Sequence, residues 1–178
     1  LSNPGQFVEH RYASTLSAHK YIFRQFTPVG FPYFAGRYRG DNYDILRDCR
    51  VGILSDPKVG EVPKSVRAKM DLFDKQFIKT IEVFDGHFKS GKIDKAILLV
   101  KLAEAVGTLL VRFLTIHPYV NGNGHIGRVL VLAMLGRLNI RPANWTIDDR
   151  PPYSEAIFEH RRGNVRPLTA VLLKCIRG

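Results

Sequence analysis

Between Leu98 and Leu138 the chain carries two apolar helical runs separated by a break that no single helix can cross. The first run repeats Leu98, Leu102, Ala105, Leu109 and Phe113 at steps of four and three residues, the spacing of one helix face. Pro118, which lacks the N–H a helix interior needs, ends it. The second run, Ile126 to Leu138, is apolar nearly all round and is expected to be a central helix buried on most sides. Between them lies His117-Pro118-Tyr119-Val120-Asn121-Gly122-Asn123-Gly124-His125-Ile126-Gly127-Arg128. Gly122 and Gly124 let the backbone turn tightly and bring its N–H groups against a ligand. The helix that starts there adds unpaired N–H donors and the positive end of its dipole, a setting for an anion such as phosphate. His117 stands a few residues from that setting, which is a layout for phosphoryl or nucleotidyl transfer.

Other segments fall around this centre. Leu16, Ile22, Phe23 and Phe26 have helical spacing within Ser14–Phe26, and a Pro/Gly-rich turn follows. Val51, Ile53 and Leu54 look strand-like, Ser55-Asp56-Pro57 looks like a turn, and Val59 and Val62 suit a return strand, so a small hairpin is expected. Val66, Met70, Phe73, Phe77, Ile81 and Phe84 share one helical face, with Gly86 and Gly91 bracketing the end. Asp94 suits the N-cap of the next helix. Asp148 or Asp149 is expected to cap a short helix ending before Gly163, and Pro167 opens a last one with Leu168, Val171, Leu172 and Cys175 inward. The expected fold is mostly α with one small hairpin. Residues 1–35 form an N-terminal helical segment packed on a core domain of residues 36–178.

Composition narrows the function classes. A hydrophobic content of 45% in 178 residues fits one globular domain. No apolar run is long enough for a membrane span. Two cysteines, Cys49 and Cys175, do not make a disulfide framework, which suits a reducing, cytoplasmic setting. The net charge of +11 asks for an acidic partner. It is spread thinly, in short clusters such as Arg37-Tyr38-Arg39 and His160-Arg161-Arg162 that read as solvated basic surface. No long basic arm, zinc-finger spacing or RNA-binding sheet motif accompanies it, so nucleic acid is not the expected partner. His19, His87 and His160 have no metal-ligand spacing and read as surface residues.

The 117–128 loop resembles the signature of Fic domains, usually written His-Pro-Phe-x-(Asp/Glu)-Gly-Asn-Gly-Arg-x-x-Arg. The flanking helices, the upstream hairpin and the late Tyr153…Gly163-Asn164…Pro167-Leu168 pattern are similar too, from about Gly36 to the C-terminus. The resemblance implies a helical bundle with a β-hairpin flap that transfers AMP from ATP, with Mg²⁺, to a target protein hydroxyl. His117 would be the general base toward a Ser, Thr or Tyr hydroxyl. Gly122, Asn123 and Gly124 would form the anion hole, and Arg128 would clamp the terminal phosphate. The flap around Val51, Gly52, Ile53 and Leu54 would dock the target by strand addition.

Two departures touch the chemistry. Asn121 stands where the family has its metal-binding carboxylate, and an amide oxygen brings one negative charge fewer to Mg²⁺. His125 stands where the first motif Arg would contact phosphate, and it lacks the permanent charge. Tyr119 for Phe adds a hydroxyl that must find a partner. The alternatives are therefore a transferase of another phosphate-containing group, or a silent domain that binds nucleotide or protein without turnover. Many family members are restrained by a Ser/Thr-x-x-x-Glu helix, but no Ser or Thr here has Glu four residues on. That lock is absent, supplied by a partner, or carried upstream; a small antitoxin-like protein is the expected source.

Overall fold

The computed structural model describes residues 15–52, 56–148 and 150–177. Among these the chain is mostly helical and holds no sheet. The helices are α1 Thr15–Phe23, α2 Asp44–Arg47, α3 Val66–Ser90, α4 Lys95–Ile116, α5 Asn123–Arg137, α6 Tyr153–Arg161 and α7 Arg166–Arg177. Single 3₁₀ turns occupy Pro32–Phe34 and Pro63–Ser65. The chain divides into two compact units. The first comprises residues up to Lys75 with Arg112–Leu130, and the second comprises Gln76–Val111 with the residues from Val131 on.

In the first unit, α3 is launched by Pro63, whose fixed φ suits a helical first turn. Val66, Met70 and Phe73 are then fully buried at steps of four and three. Phe73 lies 5.7 Å from Phe113 of α4, ring to ring. The loop ahead of α3 is fixed by charge and by a close backbone approach. Arg67 grips both carboxylate oxygens of Asp41, at 2.7 and 2.8 Å from one nitrogen, and the buried Asp41 also accepts from the Tyr38 N–H. Gly40, at φ 85°, lies so close to the Pro63 carbonyl that any side chain there would collide with it.

In the second unit, Phe77 and Phe84 continue the buried face of α3. Gly86 does not end that helix, which runs through it to Ser90; Gly91, at φ 62°, provides the stop. Asp94 caps α4 as its residue type suggested, its carboxylate accepting from the N–H groups of Ala96 and Ile97. Gly107 admits Leu168 and Leu172 of α7 close to the α4 backbone. α6 and α7 pack on each other. α5 ends in a Schellman arrangement: Ile140 donates to the Leu135 carbonyl and Asn139 to that of Gly136, with Asn139 left-handed at φ 56°.

Several expectations are corrected. No hairpin is present among the described residues, and Ile53 and Leu54 lie outside them. Val59 and Val62 form no return strand because the neighbouring backbone is engaged elsewhere. Gly60 and Glu61 donate to the carbonyls of Thr115 and Ile116, the groups α4 leaves unpaired at its C-terminus. Asp148 caps only a local turn, accepting from the Arg150 N–H, and α6 starts later, after Pro152; Asp149 lies outside the described residues. α5 is less enclosed than its composition suggested: Ile126, Leu130, Val131, Met134 and Leu135 are buried, but Leu132 is 45% exposed. α1 buries Thr15, Ala18 and His19 instead of its larger apolar residues. No described helix is long and apolar enough to cross a membrane.

Candidate active site

α4 runs out at Ile116, and His117 turns the chain sharply with φ at 52°, a left-handed conformation that costs a side-chain-bearing residue about 1–3 kcal/mol. Main-chain bonds enforce it. The His117 N–H closes the last helical bond to the Phe113 carbonyl at 3.0 Å, and its own carbonyl accepts from Arg39 Nε at 2.8 Å. The imidazole is oriented as well. Nδ1 lies 3.3 Å from the Leu114 carbonyl, which can only accept, so Nδ1 carries the proton and Nε2 holds the lone pair. The ring is half-buried.

The loop beyond is held by a side chain placed inside it. Asn123 is 2% exposed, and its amide reaches back to Tyr119 twice: Oδ1 accepts from the Tyr119 N–H at 2.9 Å, and Nδ2 donates to the Tyr119 carbonyl at 2.8 Å. The Asn123 side chain therefore braces the loop through both its oxygen and its nitrogen. α5 begins at this residue, with Ile126 donating to the Gly122 carbonyl as its first bond. The N–H groups of Asn123, Gly124 and His125 thus belong to the opening turn, which has no intrahelical acceptors. Gly122 turns at φ 76°, and the Phe23 ring fills the space a Cβ would need.

The remaining candidates distribute around that turn. Asn121 and His125 are exposed, and Arg128 is half-buried. His125 and Arg128, three residues apart on α5, are neighbours on the helix surface. The Phe23 ring meets His125 edge-on at 5.9 Å between centroids. Val51 presents its carbonyl to Gly60 so closely that only glycine fits, which brings the root of the 51–54 stretch to the end of α4; Gly52 follows it and lies near the Val59 carbonyl. The structure thus gathers His117, Asn121, Gly122, Asn123, Gly124, His125 and Arg128 on one loop and the first turn of one helix.

A resident metal ion finds little here. No described group of three or more His, Cys, Asp or Glu side chains converges. The donor set at the loop is the exposed Asn121 amide, which suits Mg²⁺ carried in by a triphosphate better than an ion held in its absence.

Sequence reasoning missed the residues that brace this loop. His19, read as a surface residue, is 2% exposed and stacks on Tyr119 at 3.9 Å. Its Nδ1 accepts from the Gly36 N–H at 3.0 Å, so its proton sits on Nε2, which faces the Asn121 carbonyl at 3.2 Å and donates to it. The hydroxyl of Tyr119 finds the partner it required in Thr15 Oγ1 at 2.8 Å, and Tyr38 OH completes the chain at 3.1 Å from Thr15. Arg39, taken for part of a solvated basic cluster, is wholly inaccessible to solvent. Burial lowers its pKa, opposed by nearby Cys49 and Glu61. The only sequence signal for it was its place between Gly36 and Gly40 in a segment without helical period.

Burial also pushes the His19 imidazole down, from 6.5 to about 4, against the opposing bond to Asn121. Above pH 6.5 both folded and unfolded chains hold this ring neutral, so its contribution to stability is complete. As pH falls from 6.5 towards about 4 the unfolded chain takes a proton that the folded one refuses, and stability is lost. The slope is at most about 1.4 kcal/mol per pH unit, or roughly 3 kcal/mol in all. Urea unfolding of the wild type and His19→Gln, compared across that window, should give a flatter pH dependence in the variant; identical slopes would contradict the assignment.

The comparison with family models falls on this same region. The family model described as the Fic/DOC family matches residues 12–135, well over half of the chain. A curated relative, "Protein adenylyltransferase Fic" of Nematostella vectensis, is 33% identical over 60 residues. That stretch is 34% of this chain and 14% of the relative, so the chain spans only a small part of the relative's length. With the family match covering both α4 and most of α5 around the glycine loop, the chain belongs to the Fic/DOC family.

Proposed function

We propose that the chain is a nucleotidyltransferase that moves AMP from ATP to a Ser, Thr or Tyr hydroxyl of a target protein. The observation that carries this reading is the fixed tautomer of His117. With Nδ1–H donating to Leu114, Nε2 has the lone pair a general base needs, six residues ahead of a helix start rich in main-chain donors. In the proposed step Nε2 removes the proton of the target hydroxyl. The hydroxyl oxygen bonds to the α-phosphorus, the bond from that phosphorus to the bridging oxygen breaks, and pyrophosphate leaves. The N–H groups of residues 122–124 oppose the charge that grows on the phosphate oxygens. Arg128 and His125, neighbours on α5, face the outer phosphates. Asn121 would lend an amide oxygen to Mg²⁺, which when bound neutralises phosphate charge. The stretch from Val51, rooted at the end of α4, is the proposed docking place of the target chain. The name of the Nematostella vectensis relative, an adenylyltransferase, supports the same reading.

A second reading, a domain that binds nucleotide without transferring it, is favoured by Asn121 and His125. They leave the loop with neither the carboxylate nor the permanent charge of the family signature. A transferase with another phosphate-containing donor, and restraint by a small antitoxin-like partner in the cytoplasm, belong with these proposals.

Incubation with α-labelled ATP, Mg²⁺ and cell extract separates the readings. Transfer should place label on protein and fall at least about 100-fold in His117→Ala. Measurable ATP binding without any label would favour the silent domain. His125→Arg restores a charged donor and should tighten ATP binding roughly tenfold by calorimetry, as one charge-assisted hydrogen bond would. An unchanged affinity would remove His125 from the phosphate site.

A further inference from the structure

We propose that Arg39 is a positioning residue for transfer, fixing the His117 backbone relative to the backbone on either side of the target-docking stretch. This rests on the reading of His117 as the base. Three consecutive carbonyls at the end of α4 accept from Arg39: Ile116 from a terminal guanidinium nitrogen at 3.1 Å, His117 from Nε at 2.8 Å, and Pro118 from the main-chain N–H at 2.8 Å. The same guanidinium donates to the Cys49 carbonyl at 2.9 Å and the Glu61 carbonyl at 3.1 Å. Cys49 lies two residues before Val51, and Glu61 lies on the far side of the docking stretch, next to the Gly60 that meets the Val51 carbonyl. Five carbonyls from three stretches of chain therefore take their positions from one fully buried residue.

The geometry points to position and not to charge neutralisation alone. A guanidinium is planar, and its N–H groups leave in fixed directions, so acceptors bound to it are fixed relative to one another. An ammonium in the same place has three rotatable donors and cannot serve all four main-chain carbonyls at once. His117 is also the residue that most needs holding, since its left-handed backbone relaxes to negative φ once its carbonyl is released, swinging the imidazole with it. Arg39 thereby sets the distance between the base and the place where a target hydroxyl arrives. It touches neither nucleotide nor target.

The test compares wild type with Arg39→Lys, using α-labelled ATP, Mg²⁺ and cell extract as the source of acceptors. The labelling rate at saturating ATP should fall roughly 30- to 100-fold, the scale of a misplaced reacting group, while the Kd for ATP changes less than about threefold. Leu172→Ala, buried in the other unit, controls for lost stability and should keep its rate below its unfolding temperature. In a His117→Gly background rescued by free imidazole, adding Arg39→Lys should cost several-fold less than it does in the wild type, because the base is no longer attached while the docking stretch still is. Equal losses in both backgrounds, an unchanged rate, or a loss of ATP affinity in step with rate would overturn the proposal. Should Arg39→Lys not fold, the wild-type chain decides by NMR: the Arg39 Nε–H should resist exchange and couple through its hydrogen bond to the His117 carbonyl carbon. A fast-exchanging, uncoupled ε proton overturns it. A wild type that labels nothing sinks the reading of His117 as base, and the NMR measurement then judges the clamp by itself.

Discussion

The buried guanidinium of Arg39 is the interaction on which the first unit depends. A cation without access to water loses its hydration, and here main-chain oxygens replace it. Those oxygens come from the end of α4, from Cys49 and from Glu61, so the requirement of one charge organises backbone from separate stretches of the chain. The end of a helix and an irregular segment are both short of partners, and each supplies what the other lacks. Gly60 and Glu61 complete the exchange by donating to the last carbonyls of α4. Substituting Arg39 by an apolar residue would strand up to three carbonyls, those of Cys49, Glu61 and His117, since Ile116 keeps the Glu61 N–H; each costs about 1–3 kcal/mol when buried and unpaired.

The glycine loop is built on the same economy of donors. Asn123 closes it by bonding both main-chain groups of Tyr119, and His19 supports it through the Asn121 carbonyl. These contacts use the loop's carbonyls and a side-chain amide, and they leave the opening N–H groups of α5 uncommitted to the helix. A loop held from its carbonyl side is rigid without occupying the donors that would meet an anion. The two histidines serve opposite ends. His19 keeps its proton on Nε2 to hold backbone, and His117 keeps its proton on Nδ1, leaving Nε2 as the basic atom. Tyr119, Thr15 and Tyr38 tie the underside of the loop to α1 through hydroxyl bonds, and burial holds the Tyr38 phenol protonated, pushed up to about 12.

What the sequence made legible was apolar period and local chemistry. The buried face of α3, the face of α4, the Asp94 cap and the break at Pro118 were all readable, because each rests on residues within one or two turns of each other. The loop motif was readable because its glycines and its histidine are contiguous. Arg39 and His19 were not. A buried polar side chain differs from a surface one only in its partners, and those lie 77 or more residues away in chain order for Ile116 and His117, and 102 for Asn121. α1 misled for a related reason: its inward face is Thr15, Ala18 and His19, while Phe26, just past its end, is 78% exposed. Among the described residues no hairpin forms near Val59 and Val62, and there the Gly60 and Glu61 N–H groups donate to the end of α4, a long-range partnership that local β-propensity does not signal.

In the proposed function the opening turn of α5 and the imidazole of His117 face one bound triphosphate. The most direct test is a crystal structure of the chain with Mg²⁺ and a non-hydrolysable ATP analogue. The account predicts phosphate oxygens within about 3.2 Å of the N–H groups of residues 122–124, with His117 Nε2 turned towards the α-phosphorus. An analogue seated away from that turn, or with His117 directed elsewhere, would contradict it.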